Sequence, residues 1–192
     1  MLARLGPEGL TRRRMAFALP LLGAAALAPA SSQGAALAVI ERGQRTLMGT
    51  QVDLVVQGPD PVVLRSGMER AWKDMERLVA LMTRYRPDSL VSAINRGAGR
   101  QAVAVPPEVM SVLQTAQHIA RLTQGAFDAT VGALPWHFGS DDHHVPTNQD
   151  VANQRRLVGY RGLVLDTDHG TAYLRKAGMA LDLGGIAKLP IL

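Results

Sequence analysis

Between residues 60 and 82 the apolar side chains Leu64, Met68, Trp72, Met75, Val79 and Met82 recur at helical spacing. A stripe of that period lies on one face of an α-helix, whereas a strand would send alternate members to opposite sides. Asp60 can cap the helix, and Pro61 suits its first turn, where a missing N–H costs nothing. A long one-faced helix must be covered, so the rest of the chain has to supply a layer for it to rest on. Trp72 and the methionines are read as that packing face and not as a cofactor box.

The covering layer is legible on both sides of the helix. Residues 46–57 read as a strand, with Val52, Leu54 and Val56 alternating against Gln51 and Asp53 before a turn at Gly58-Pro59. A second helix begins near Pro107, turns Val109, Val112, Leu113, Ala116 and Ala120 inward, leaves His118 on its wet face and is ended by Gly125. Residues 162–166, 171–175 and 178–183 read as strands of a meander. Strands and helices are grouped and do not alternate as βαβ units require. The expected class is therefore α+β, a mainly antiparallel sheet with helices packed on one side.

The first 30 residues stand apart. Thr11-Arg12-Arg13-Arg14 precedes an apolar run over residues 15–27, and Ala28-Pro29-Ala30 offers small residues for cleavage before Ser31. This is the pattern of an export signal peptide, of twin-arginine type although Met15 stands where a phenylalanine is usual, and it places the mature protein in the periplasm. At about 13 to 16 apolar residues the run is short for a membrane span of about 20, so membrane association is expected only through an uncleaved leader. Residues 31–192 then form one domain. Formal charge is +5, but from Ser31 onward 17 basic residues face 15 acidic ones, and the arginines are scattered without interleaved aromatics. That argues against nucleic-acid binding. No cysteine is present, which excludes disulfides, thiol catalysis and zinc–thiolate sites.

Four segments carry the chemistry. They are Met48-Gly49-Thr50; Tyr85-Arg86-Pro87-Asp88-Ser89 with Asn95 beyond it; the run Gly125, Ala126, Phe127, Asp128, Ala129, Thr130, Val131, Gly132 with Trp136 and Phe138 behind it; and Asp182-Leu183-Gly184-Gly185-Ile186-Ala187-Lys188. In the last, two glycines let backbone approach a ligand and the lysine can meet a phosphate. Taken alone, the same residues fit a strand end with a turn and a solvated lysine. Asp141-Asp142-His143-His144 carries metal-ligand side chains, but neighbours in a loop point apart, and a polar surface loop is the better reading.

In this order and spacing the four segments resemble the FAD:protein FMN transferases, the ApbE family, from about Thr46 to Lys188. The resemblance implies an ApbE-like fold and an FAD site contacted by Met48, Tyr85, Ala126, Phe127, Asp128, Asp182 and Lys188, with a magnesium ion held partly by the backbone carbonyl of Gly185. Tyr85 offers a face for a flavin or adenine ring, the backbone of Ala126, Phe127 and Asp128 can meet a ring edge, and Lys188 suits the pyrophosphate. The implied reaction moves FMN from FAD to a threonine hydroxyl of an acceptor protein with Mg²⁺, releasing AMP. The acceptor would be an exported domain of a membrane redox complex. No residue is assigned as a catalytic acid or base.

The chain departs from the family after Lys188. Relatives continue with a glycine–tyrosine segment, further strands and helices, and a late aspartate and threonine that complete the metal site, whereas here Leu189-Pro190-Ile191-Leu192 follows. The expectation is an N-terminal part of a flavin transferase domain, incomplete at the C-terminus. The alternative from another class is a truncated, non-catalytic flavin binder or an inert exported fragment. A periplasmic solute-binding module, which needs two lobes and a hinge, ranks last.

Overall fold

The computed structural model describes residues 38–134 and 147–192. The export leader, Trp136, Phe138 and the Asp141-Asp142-His143-His144 cluster lie outside the described residues. Strand β1 (Val39–Leu47) and strand β2 (Thr50–Gly58) form an antiparallel hairpin whose register runs from Val39↔Gly58 to Leu47↔Thr50. The single strand read over residues 46–57 is therefore two. The chain reverses at Met48 and Gly49, which take φ of 51° and 66°. Two successive positive φ values are what a two-residue hairpin turn requires to follow the twist of its strands. Asn or Asp usually fills the first position, and a methionine there gives a sequence reader no turn signal.

Helix α1 (Pro61–Met82) forms as its stripe requires. The Asp60 carboxylate accepts from the backbone N–H of Val62 and Val63, Pro61 opens the first turn, and Met68, Trp72, Met75 and Met82 are buried. The helix lies on β1 and β2. It comes close at Gly43, where a Cβ would stand 2.8 Å from Met68 Sδ and 3.2 Å from Trp72 Nε1. Arg45 reaches back from β1 to pair with Glu69 at 2.8 Å and Glu76 at 2.7 Å, its guanidinium 5.2 Å from the centre of the Trp72 ring. All three side chains are substantially exposed, so these pairs fix geometry more than they add stability.

A short helix α2 (Leu90–Arg96), capped by Ser89, follows, and then strand β3 (Val103–Ala104). Both were absent from the sequence reading; a seven-residue helix shows too few turns for its period to stand out. Helix α3 (Pro107–Leu122) buries Val109, Met110, Val112, Leu113, Ala116 and Ala120 and leaves His118 exposed. As expected, Gly125 closes it: with φ of 88° it donates its N–H to Ala120 O at 2.8 Å. Helix α4 (Asn148–Arg155) begins on a capping box formed by Thr147 and Asp150.

Strand β4 (Leu163–Asp166) and strand β5 (Thr171–Leu174) complete a second antiparallel sheet in the order β3-β5-β4. The expected third strand of the meander does not form. Residues 178–183 run beside the loop after α3: Ala180 makes an isolated parallel bridge with Val131, and Asp182 donates its N–H to Ala129 O at 2.8 Å. Helix α2 packs on β3 and β5, α3 on β4. Leu181 and Leu183 point into the core with Val91, Ile94, Val109, Leu113 and Leu174. A four-residue turn of helix, α5 (Lys188–Ile191), follows. The class is α+β with antiparallel sheets, as the grouping of elements predicts, but the described residues divide the strands between two small sheets.

The contact between the loop after α3 and residues 180–182 leaves no room at Gly132. A Cβ there would stand 2.6 Å from both the C and O of Leu181 and 2.7 Å from Ala180 O. Gly132→Ala should destabilise the fold by about 1–3 kcal/mol through overpacking against backbone that cannot turn aside. Urea unfolding of the two proteins measures it, and an unchanged midpoint would mean that the two segments do not pack this closely.

Candidate functional site

Four chain segments end around one cleft of about 730 Å³. The β1–β2 turn supplies Met48 and Gly49, and the exit of α1 supplies Met82, Thr83, Arg84 and Tyr85. The loop after α3 brings Ala126, Phe127, Asp128 and Val131, and the last segment brings Asp182, Gly184, Gly185 and Lys188. All eight residues singled out in the sequence line it: Met48, Tyr85, Ala126, Phe127, Asp128, Asp182, Gly185 and Lys188. They come from motifs as much as 140 residues apart in the chain.

Met48 reaches the cleft from a backbone conformation that a side chain pays for. A left-handed turn position costs a non-glycine residue roughly 1–2 kcal/mol, and methionine lacks the short polar side chain that eases the cost for asparagine. Strain of this kind, held at the rim of a cleft, is where function is to be sought.

The exit of α1 is held by the cap of α2. Ser89 Oγ donates to Thr83 O, Ser92 Oγ to Arg84 O at 3.2 Å, and the Tyr85 N–H to Thr83 Oγ1 at 3.2 Å. The backbone is thereby fixed while the Tyr85 ring stays 62% exposed, an aromatic face available for stacking.

Asp128 behaves differently from an exposed ligand. It is 8% exposed, and its Oδ1 accepts from the N–H and the hydroxyl of Thr130 at 2.8 and 2.7 Å, its Oδ2 from the Tyr160 N–H at 2.7 Å. The carboxylate therefore shapes the loop, and what the segment presents to the cleft is backbone and the Phe127 ring. The N–H groups of Ala126 and Phe127 already donate to Thr123 O and Oγ1 at 3.0 and 3.1 Å. Their carbonyl oxygens keep capacity to accept.

The last segment is pinned at Leu181, whose N–H donates to Asn95 Oδ1 at 2.7 Å and whose carbonyl accepts from Asn95 Nδ2 at 3.1 Å. Asp182 follows. Its Oδ1 accepts from the Gly184 N–H at 2.8 Å, and its Oδ2 faces Arg84 Nη1 at 3.2 Å. Lys188 Nζ donates to Thr50 Oγ1 at 2.8 Å, across 138 residues of chain, and has no ion-pair partner among the described residues. A half-buried ammonium without a counter-charge, in a cleft with an aromatic face, suits an anionic ligand that also carries a ring. Arg84 and the anchoring role of Thr50 were missed from sequence, because their partners lie 98 and 138 residues away and leave no local pattern.

The described residues supply few of the oxygen ligands that magnesium would need. That ion takes near-octahedral oxygen coordination. Among the described residues no three His, Cys, Asp or Glu side chains gather to hold a metal, and both oxygens of Asp182 already have partners. A carbonyl at Gly185 alone does not supply the set.

The ApbE family model matches residues 48–191. The FAD:protein FMN transferase of Klebsiella pneumoniae is 31% identical over 144 residues, covering 74% of this chain and 44% of that protein. That of Treponema pallidum is 28% identical over 151 residues, covering 74% and 41%. Among solved structures, the ApbE protein of Thermotoga maritima superposes with a TM-score of 0.73 at 30% identity, over 80% of this chain and 50% of that one. The flavin transferase ApbE of Vibrio cholerae does so at 0.67 and 26%, over 79% and 50%. The chain thus spans about half the length of the proteins it resembles.

The bonding of Asp128 makes a prediction that sets it apart from its neighbours in the cleft. Asp128→Asn replaces an acceptor by a donor facing N–H groups, and should cost about 1–3 kcal/mol of stability with no ligand present. Chemical denaturation reads this directly; full stability in the variant would mean that the carboxylate is free for a ligand after all.

Proposed function

The chain belongs to the ApbE family, and from that premise we propose that its cleft binds FAD as the donor in a transfer of FMN to a threonine hydroxyl of an acceptor protein. The observation that carries the reading is the convergence of four separate sequence motifs on one cleft, with an aromatic face at Tyr85 and a cation, Lys188, that has no ion-pair partner among the described residues. A dinucleotide has a ring for the one and a diphosphate for the other.

In the proposed reaction the acceptor hydroxyl oxygen attacks the phosphorus nearer riboflavin. A new P–O bond forms, the bond from that phosphorus to the bridging oxygen breaks, and AMP departs with the bridging oxygen while the hydroxyl proton passes to solvent water. Such a transfer depends mainly on in-line positioning and on neutralising charge at the phosphates. Stacking at Tyr85 and the fixed loop from Ala126 to Asp128 would orient the donor. Lys188, anchored by Thr50, would meet the diphosphate. Magnesium, when bound, serves in such reactions to neutralise phosphate charge.

The acceptor is proposed to be an exported protein, a domain of a membrane redox complex, met in the periplasm after the leader over residues 1–30 is removed. Mass spectrometry of periplasmic material should find an N-terminus near Ser31. Recovery of a chain beginning at Met1, or retention in the cytoplasm, would refute the export reading.

Ligand choice is the sharper test. The protein should bind FAD in preference to FMN and NAD, and Tyr85→Ala should weaken FAD by about 1–3 kcal/mol, the scale of stacking on an aromatic side chain. Fluorescence quenching titrations measure both, and equal affinity for FMN and FAD would count against a dinucleotide site. Incubation with FAD, Mg²⁺ and a threonine-bearing acceptor domain, followed by in-gel flavin fluorescence, separates transfer from binding. Covalent label supports the transferase, while tight FAD binding without label supports the non-catalytic flavin binder.

A further inference from the structure

Arg84 is an under-used cation. Its side chain is only 15% exposed, it lines the cleft, and among the described residues one of its five N–H donors engages a carboxylate, Asp182 Oδ2, in a single contact of 3.2 Å. This is longer than the 2.7–2.9 Å usual for a charge-assisted bond and lacks the paired geometry an arginine makes with a carboxylate it matches well. The other oxygen of Asp182 is turned toward the Gly184 N–H, so the carboxylate cannot offer Arg84 a second contact without giving that up. The guanidinium also lies 5.8 Å from the centre of the Tyr85 ring. Its backbone is held by Ser92, so the side chain pivots from a fixed point.

A second cation, Lys188, lines the same cleft and, among the described residues, has no carboxylate partner. The cleft that holds the Tyr85 ring and the glycines after Asp182 thus also holds a guanidinium that, among the described residues, is only loosely engaged. Guanidinium matches phosphate oxygens two at a time, which a lone carboxylate oxygen does not allow it to do here.

We propose that Arg84 is a specificity-determining residue that grips the diphosphate of the bound dinucleotide, exchanging its weak contact with Asp182 for a paired contact with phosphate oxygens. The proposal rests on the reading of the cleft as an FAD site. It makes the ligand's phosphate charge, and not the flavin ring, the quantity that Arg84 senses.

The test compares FAD with riboflavin, which has the ring and no phosphate, on the full chain. Arg84→Met should lower FAD affinity by at least about tenfold and leave riboflavin affinity unchanged, and it should flatten the fall of FAD affinity as salt is raised from about 0.05 to about 0.5 M. Arg84→Lys, which keeps the charge without the fork, should retain the salt dependence and lose part of the FAD affinity; if Arg84→Met does not fold, the ratio of FAD to riboflavin affinity in Arg84→Lys decides. An unchanged FAD preference in the variants, or an equal loss for both ligands, overturns the role of Arg84 while leaving the flavin site standing. Failure of the unaltered protein to bind FAD, or binding of FAD no tighter than riboflavin, overturns the proposal at its premise.

Discussion

Leu181 is gripped on both of its backbone polar groups by one side chain, Asn95, and Asp182 beside it is tied to Ala129 O. These bonds join helix α2, the loop after α3 and the final segment, three stretches that share no element of a sheet. An amide side chain is suited to the task because it donates and accepts at once, as a neighbouring strand would. Everything that faces the cleft from the C-terminal side inherits its position from this junction, and Gly132 permits it by presenting no Cβ to the carbonyl of Leu181.

The cleft is built from segment ends and not from the faces of helices or strands. A turn, a helix exit, a loop and a glycine-bearing stretch each contribute a few groups, and each is stiffened by its own polar contacts: the α2 cap behind Tyr85, the Asp128 carboxylate beneath Phe127, Thr50 beneath Lys188. The division of labour among the carboxylates is instructive. Asp128 and Asp182 both line the cleft, yet one is buried and saturated by backbone and hydroxyl donors, while the other is more open and divides its oxygens between the Gly184 N–H and a 3.2 Å contact to Arg84. Burial and bonding, not residue type, separate a scaffold group from one that remains available.

Much of this could be read from sequence because local physics dominated locally. The stripe from Leu64 to Met82 and the inward set from Val109 to Ala120 each announce a helix, and Asp60 and Gly125 mark a start and an end by known backbone chemistry. The residues that line the cleft were legible through the order of motifs, each short enough to survive as a pattern. What escaped depended on distant partners. Residues 178–183 have the composition of a strand, but their neighbour is a loop, so no sheet forms. The turn at Met48 is written in φ and not in turn residues. Arg84 sat beside a recognised tyrosine and went unremarked because its partner, Asp182, is 98 residues on.

The bond from Lys188 to Thr50 spans 138 residues, and those from Asn95 to Leu181 span 86. Closing loops of that length comes late in folding, after nearby contacts have formed. During synthesis the hairpin and α1 can therefore pack while the ribosome still holds the stretch that will complete the cleft. Until residues 182–188 have joined the earlier segments, the nascent chain has a core in the making and only part of a cleft, so ligand capture waits on the joining of its most distant parts.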